Sequence, residues 1–281
     1  MPEGRASARD GARWADLARL AAETAFVVGQ AIAIDDTEVV TRKRGRANFA
    51  TRADHAAERE IVARLRAHDR DVPILAEESA RKGLTTLERL WVVDPLDGTL
   101  NFSRGLPFYC VLLAYVEDGR VRAGAVHAPR TAETFVASEG AGATRNEKPI
   151  AVSAVTKLAD AFAVASLRFG ETRRKGSRFA ELNATCARLR VIGSAGLEIA
   201  YTAMGRFDLF VHESLSPWDI AAPWLIAQEA GAAVLSLKTG APAAWNERQV
   251  IIANPRLARY AFALLSKPRM GLSAGVMKWQ T

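Results

Sequence analysis

Residues Trp91–Phe102 read WVVDPLDGTLNF. Trp91, Val92 and Val93 have the composition of a buried strand. Two acids follow at once, Asp94 and Asp97, and then Gly98 and Thr99. Carboxylates this close repel one another unless a proton or a cation compensates. A divalent cation is the simplest compensation. Pro95 fixes φ just after Asp94 and limits the turn. That lets Asp94, Asp97 and the Leu96 carbonyl converge on adjacent ions. Gly98 and Thr99 then open a short helical turn whose free N–H groups suit a phosphate.

Other acids stand at comparable places. Glu77 and Glu78 end the strand VPILA, residues 72–76. Asp54 falls in the first turn of a helix opened by Thr51, and Asp219 in the first turn of one beginning Pro217-Trp218. Strand and helix ends are where α/β folds place ligand sites. Each acid also has a purely structural reading. Thr51 and Asp54 have capping-box spacing, Asp219 suits a helix N-terminus, Asp97-Gly98 is a common turn, and Glu77-Glu78 suits a solvated loop. The four histidines, His55, His68, His127 and His212, show no HxxxH spacing, and there is no CxxC. A zinc site built from His and Cys is therefore disfavoured, whereas oxygen donors suit Mg²⁺.

Apolar spacing predicts a long helix over about residues 9–34, a basic loop with Arg42, Lys43, Arg44 and Arg46, and a second helix from Thr51. From Phe108 the pattern turns to β, with Asp118-Gly119 as a hairpin signal. After about residue 150, strands and helices alternate: LADAFAVAS, SRFAELNATCARL, LRVIG, LEIAYTAMG, FDLFV, WDIAAPWLIAQEAG, AAVLS, QVIIA and a terminal helix from Pro255 to Leu265. Mixed patterning of this kind predicts a layered α/β fold. No linker marks a boundary, so residues 1–281 are expected to form one domain of two halves, about 1–150 and 151–281.

With 281 residues, 49% of them hydrophobic, the chain can bury a large core. No apolar run approaches the roughly 20 residues that span a bilayer. The N-terminus lacks the apolar core of a secretory signal, and two cysteines, Cys110 and Cys186, make no disulfide framework. A cytoplasmic setting is expected. The +7 charge favours anionic partners. Only Arg42–Arg46 is dense, and no aromatic is interleaved there, which disfavours nucleic acid as the main partner.

WVVDPLDGTLNF resembles the first signature of the inositol monophosphatase family of Mg²⁺-dependent, lithium-sensitive phosphatases. ATRADHAAE, ILAEES, GSAGLEIAYTAMGRFDLF, PWDIAAPWLIAQEAG and IIANPRL resemble further family segments, in the family's order, from about residue 10 to 266. The resemblance implies a layered αβαβα sandwich and a homodimer. It implies a first metal on Glu77, Asp94 and the Leu96 carbonyl, a second on Asp94, Asp97 and Asp219, and a looser third near Glu77 and Asp54. It also implies phosphate on Gly98 and Thr99, an attacking water positioned by Thr99 with Asp54 or Glu77, and substrate contacts from Gly193, Ser194 and Ala195. Lys43 would lie in a loop near the site. Water activated by two metals would hydrolyse a phosphomonoester such as myo-inositol 1-phosphate without a covalent phosphoenzyme. One position departs from the family pattern. Where a glutamate usually stands, seven residues before Asp219, this chain has His212, followed by Glu213. Sibling activities on histidinol phosphate, fructose-1,6-bisphosphate or 3′-phosphoadenosine nucleotides therefore stay open.

Overall fold

The computed structural model describes residues 8–32, 39–42, 49–79, 88–167 and 177–266. Helix α1 (Ala8–Ile32) precedes a short antiparallel pair, β1 (Val39–Arg42) and β2 (Phe49–Thr51). Of the expected basic loop, Arg42 belongs instead to β1. Neither strand has the length or alternation that makes a strand legible. Lys43, Arg44 and Arg46 lie outside the described residues. Thr51 caps α2 (Arg52–His68), with the reciprocal Thr51–Asp54 bonds of a capping box.

A seven-stranded sheet follows, in the order β3 (Ile74–Ala76), β4 (Arg89–Asp97), β5 (Cys110–Glu117), β6 (Arg120–Ala128), β7 (Glu133–Ser138), β8 (Ala143–Arg145), β9 (Lys148–Pro149). Only β3 and β4 run parallel. Asp118 (φ 53°) and Gly119 (φ 72°) form the β5–β6 turn with both central residues left-handed, as the Asp-Gly signal requires. The helical turn α3 (Thr99–Ser103) follows β4. A second sheet of five strands has the order β11 (Arg188–Arg190), β10 (Phe162–Ser166), β12 (Leu209–His212), β14 (Val250–Ala253), β13 (Ala233–Ser236). A 3-10 turn (Leu158–Asp160) and helices α4 (Arg178–Thr185), α5 (Ala195–Ala203), α6 (Pro217–Glu229) and α7 (Pro255–Leu265) complete the described elements.

Three apolar clusters define the layers. Trp14, Ala21 and Val28 of α1 and Ile61 and Leu65 of α2 pack on the face of the large sheet that carries Trp91, Val93 and Leu113. Its other face, with Leu90, Val92 and Leu112, meets Leu197 and Ala200 of α5 and Ile220 and Leu225 of α6, which also pack on Phe210 and Ile252 of the small sheet. Leu182 of α4 and Leu257 and Ala261 of α7 cover that sheet's far side, against Leu209 and Val211. The layers therefore run α, β, α, β, α, as the motif pattern implies. Each fully buried Trp, Leu or Ile stabilises the sandwich by about 1.5–3 kcal/mol over an exposed one. No helix among the described residues is long and apolar enough to cross a membrane.

His127 of β6 is buried beneath α1, edge-on to Phe26 at 5.1 Å between ring centroids. Its Nδ1 shares a hydrogen bond with Thr134 Oγ1 at 2.9 Å, while Nε2 is buried without a partner. Burial pushes its pKa down to about 4.

Candidate active site

Strand β4 does not stop at Asp94 but continues to Asp97 through an irregular step. Asp94 pairs with Leu112 and Asp97 with Cys110, so three steps along β4 answer two along β5. This is a β-bulge, with Pro95 and Leu96 inside it. Its consequence is chemical. Residues three apart in a regular strand point to opposite faces, whereas the extra residue returns Asp97 to the face of Asp94. Leu112 and Cys110, their pairing partners, both face the α5–α6 layer. Two acids that a regular strand would have separated by the sheet are thus brought to one side of it.

Neighbouring elements add carboxylates to the same place. Ala76 pairs in parallel with Val93, and Glu77 N donates to Val93 O at 3.2 Å, which sets Glu77 alongside Asp94. Helix α6 begins on the same layer with Asp219, whose Oδ2 accepts from Ser216 N at 2.7 Å in a capping box. Burial raises the pKa of Asp94 well above the usual carboxylate range, and the charges of Glu77, Asp97 and Asp219 raise it further. Asp219 is raised in the same way, by burial and then by Asp97 and Glu77. For Asp97, burial raises the pKa against hydrogen bonds from Ser194, Gly196 and Ala195.

Asp97 is held by the start of α5. Its Oδ2 accepts from Ser194 Oγ and Gly196 N, each at 2.7 Å, and its Oδ1 from Ala195 N at 3.3 Å. Cys110 Sγ lies 3.6 Å from both Asp97 Oδ2 and Ser194 Oγ. A Cβ at Gly196 would fall 2.6 Å from Leu112 Cδ2, so the close approach of α5 to β5 depends on that glycine.

A second group forms where β4 meets α2. Thr99 Oγ1 donates to Asp54 Oδ1 at 2.9 Å and lies 3.1 Å from the Leu96 carbonyl. Asp54 Oδ2 accepts from Thr51 N at 2.7 Å and Thr51 Oγ1 at 2.5 Å. Asp54 is therefore both a helix cap and the partner of Thr99. Gly98 joins strand to helical turn at φ 93°, and a Cβ there would stand 2.7 Å from Phe108 O. Only glycine serves at that corner.

Of the remaining expected residues, Gly193, Ser194 and Ala195 lead into α5 beside Asp97. His212 ends β12, stacked on Phe210 with centroids 5.9 Å apart, and its Nδ1 accepts from Ser214 N at 3.0 Å. The ring accordingly carries its proton on Nε2. Glu213 turns to the opposite face and pairs with Arg178 of α4 at 2.6 Å. Strand alternation separates the two.

Three contributors escaped the sequence reading. Glu58, one turn after Asp54 on α2, accepts from Glu78 N at 2.8 Å and so steadies the turn carrying Glu77. Asn101 Nδ2 donates to Phe108 O at 2.8 Å and Ile192 O at 2.9 Å, which ties α3 to the approach to α5. Glu198 is wholly buried in α5. Glu58's helical spacing from Asp54, and an acid inside the apolar LEIAYTAMG, were the available signals.

The donor chemistry fits hard cations, since buried carboxylate and carbonyl oxygens whose charges repel are stabilised by a divalent ion. Among the described residues, however, no three His, Cys, Asp or Glu side chains are already grouped as a chelate. Asp97 and Asp219 spend oxygens on backbone donors, so ligation must use their remaining lone pairs or small rotations.

A layered αβαβα chain with acids gathered at one sheet end has the architecture of a metal-dependent phosphatase. A sequence model of the inositol monophosphatase family matches residues 13–268, and the chain belongs to that family. It is 41% identical over 196 residues to the fructose-1,6-bisphosphatase/inositol-1-monophosphatase of Thermotoga maritima, covering 69% of this chain and 74% of that protein. It is 35% identical over 242 residues to the Nus factor SuhB of Escherichia coli, covering 84% of this chain and 88% of that protein. The solved inositol monophosphatase of Thermotoga maritima superposes with a TM-score of 0.81 at 35% identity, over 89% of this chain and 97% of that one. Family membership makes this protein a phosphatase of the superfamily.

Proposed function

We propose that this protein is a Mg²⁺-dependent phosphomonoesterase that hydrolyses a small phosphorylated polyol, of the myo-inositol 1-phosphate kind, with water as nucleophile. The observation that carries the reading is the bulge that turns Asp94 and Asp97 onto one face, beside Glu77 and Asp219. Glu77, Asp94 and the Leu96 carbonyl would hold one cation, and Asp94, Asp97 and Asp219 a second. Glu77 and Asp54 would border a looser third. Bound Mg²⁺ would supply positive charge that acidifies water and offsets charge on the phosphoryl and leaving oxygens.

The chain's own groups do the rest. Thr99 Oγ1 donates to Asp54, which leaves its lone pairs free to accept from a water. The pair thereby orients that water and receives its proton. The N–H groups of Gly98 and Thr99 would hold phosphate oxygens. Gly193, Ser194 and Ala195 would border the organic part of the substrate. His212, which ends β12 on the face opposite Glu213, would meet the leaving group. Lys43, if it reaches the mouth, would attract the phosphate. Lithium inhibition, a homodimer and a cytoplasmic setting belong to the same proposal.

Fructose-1,6-bisphosphate is the second reading, supported by the double name of the Thermotoga maritima relative and by a histidine donor where a glutamate acceptor is usual. Phosphate release from inositol 1-phosphate, fructose-1,6-bisphosphate, histidinol phosphate and a 3′-phosphoadenosine nucleotide, with and without Mg²⁺, tests both. Release only with Mg²⁺ and highest kcat/KM for inositol 1-phosphate is expected. Preference for another member of the panel moves the substrate, and no release from any of them overturns the proposal.

A further inference from the structure

Glu198 is the one acid in a helix whose residues from Gly196 to Ala203 are all buried. An unneutralised carboxylate in such surroundings is costly. Its Oε1 accepts from Ile192 N at 2.7 Å and Gly193 N at 3.0 Å, so the side chain curls back over the residues that lead into its own helix. Its Oε2 is buried and has no hydrogen-bond partner. Burial pushes its pKa up to about 7, against the two amides.

The two bonded amides belong to a strategic segment. The Ile192 carbonyl accepts from Asn101 of α3, two residues after Thr99. Gly193 turns the chain at φ 87°. Ser194, Ala195 and Gly196 then give three donors to Asp97. Residues 192–196 are thus fixed at one end by Glu198 and Asn101 and at the other by Asp97. A carboxylate is well suited to the first task, because one oxygen can receive two convergent N–H groups.

We propose that Glu198 is a positioning residue of the phosphatase site: by clamping the amides of Ile192 and Gly193 it sets the segment that borders the substrate and, through Ser194 and Gly196, the orientation of Asp97. This rests on the reading of Asp97 and Gly193–Ala195 given above. Glu198 touches neither substrate nor cation. Its effect is transmitted by backbone, and it reaches both sides of the reaction: the organic moiety at Gly193–Ala195 and the phosphoryl side at Asp97.

Glu198→Ala, Glu198→Gln and Glu198→Asp, compared with the full wild-type chain, test it by steady-state kinetics, melting and NMR hydrogen exchange. In Glu198→Ala, losing both amide bonds should raise KM about tenfold and lower kcat about tenfold, each the size of one lost hydrogen bond to a charged group. The Ile192 and Gly193 amides should exchange at least about tenfold faster. Glu198→Gln keeps an acceptor oxygen and should retain at least about ten times the kcat/KM of Glu198→Ala. A purely structural residue would lower the yield of folded enzyme without changing KM. If Glu198→Ala does not fold, Glu198→Asp, which shortens the reach but keeps the charge, should still show faster exchange at the same two amides. Wild-type kcat and KM in Glu198→Ala, or unchanged exchange at both amides in every folded variant, would overturn the proposal. An inactive wild-type enzyme would instead remove the proposed function, and the exchange rates would still decide whether the clamp exists.

Discussion

Asp54→Asn separates capping from catalysis, because the structure gives the two carboxylate oxygens different partners. Oδ2 takes Thr51 N and Oγ1, and Oδ1 takes Thr99 Oγ1. An asparagine that keeps its oxygen toward Thr51 retains the cap and presents an NH₂ group to Thr99. The bond between them then reverses: Thr99 must accept, and its own proton turns to the Leu96 carbonyl 3.1 Å away. One of the two Thr99 lone pairs is then occupied, its proton no longer points at a carboxylate, and no carboxylate remains to take up a water proton. The expected cost in stability is that of a weakened cap, about 1 kcal/mol or less. The expected loss in kcat is at least about a hundredfold, the usual contribution of a positioned acid–base group. Thermal melting and phosphate release under saturating Mg²⁺ measure the two separately. A variant that melts early yet turns over like wild type would refute a catalytic part for Asp54.

Three further variants bear on other parts of the molecule. Asp97→Asn keeps an acceptor for Ser194 and Gly196 but loses its charge, so kcat should fall at least about a hundredfold for about 1–2 kcal/mol of stability; near-normal turnover at high Mg²⁺ would remove Asp97 from the ligands. His127, buried and neutral with its pKa lowered to about 4, contributes stability that is present above the unfolded value near 6.5 and is lost as pH falls below it. Between pH 7 and pH 5, wild type should lose about 2 kcal/mol more than His127→Phe in denaturant titrations, and equal losses would count against the depressed pKa. His212→Glu exchanges an Nε2 donor for an acceptor and should shift relative kcat/KM toward inositol phosphates more than about tenfold without altering Mg²⁺ dependence; unchanged ratios across the substrate panel would deny it a part in specificity.

The fold was legible wherever periodicity was long. The α7 limits Pro255–Leu265 and the β5–β6 turn at Asp118-Gly119 follow from apolar spacing and turn chemistry, whereas the αβαβα layer order was implied by the family resemblance. Short elements were not: β1 and β2 have four and three residues and no pattern to read, and α4 is shorter than SRFAELNATCARL suggests because its cap is Ser177 and its last turn ends at Thr185. The acids themselves were visible as residues at element ends. The convergence of Asp94 and Asp97 was readable from the turn at Pro95, but the joining of Glu77 and Asp219 to them came only with the family resemblance, and the bulge that turns Asp97 was not distinguishable from an ordinary strand end. Asn101 gave no signal, and Glu198 only that of an acid in an apolar segment. Their partners, as between Asn101 and Ile192, are backbone groups, which leave no trace in residue type.

The proposed joint binding of cations by the acids on the β4 bulge is most directly tested by titrating Mn²⁺, as a paramagnetic substitute for Mg²⁺, into wild type and Asp94→Asn and following the free ion by electron paramagnetic resonance. Asp94 is the acid assigned to both principal ions and the one whose charge is opposed by Glu77, Asp97 and Asp219 together. Wild type should take up Mn²⁺ in competition with Mg²⁺, and Asp94→Asn should bind it at least about tenfold more weakly while melting no earlier than wild type, because the repulsion it relieves is larger than the Leu96 N–H bond it weakens. Equal Mn²⁺ affinity in the two proteins would contradict a metal centre at this bulge.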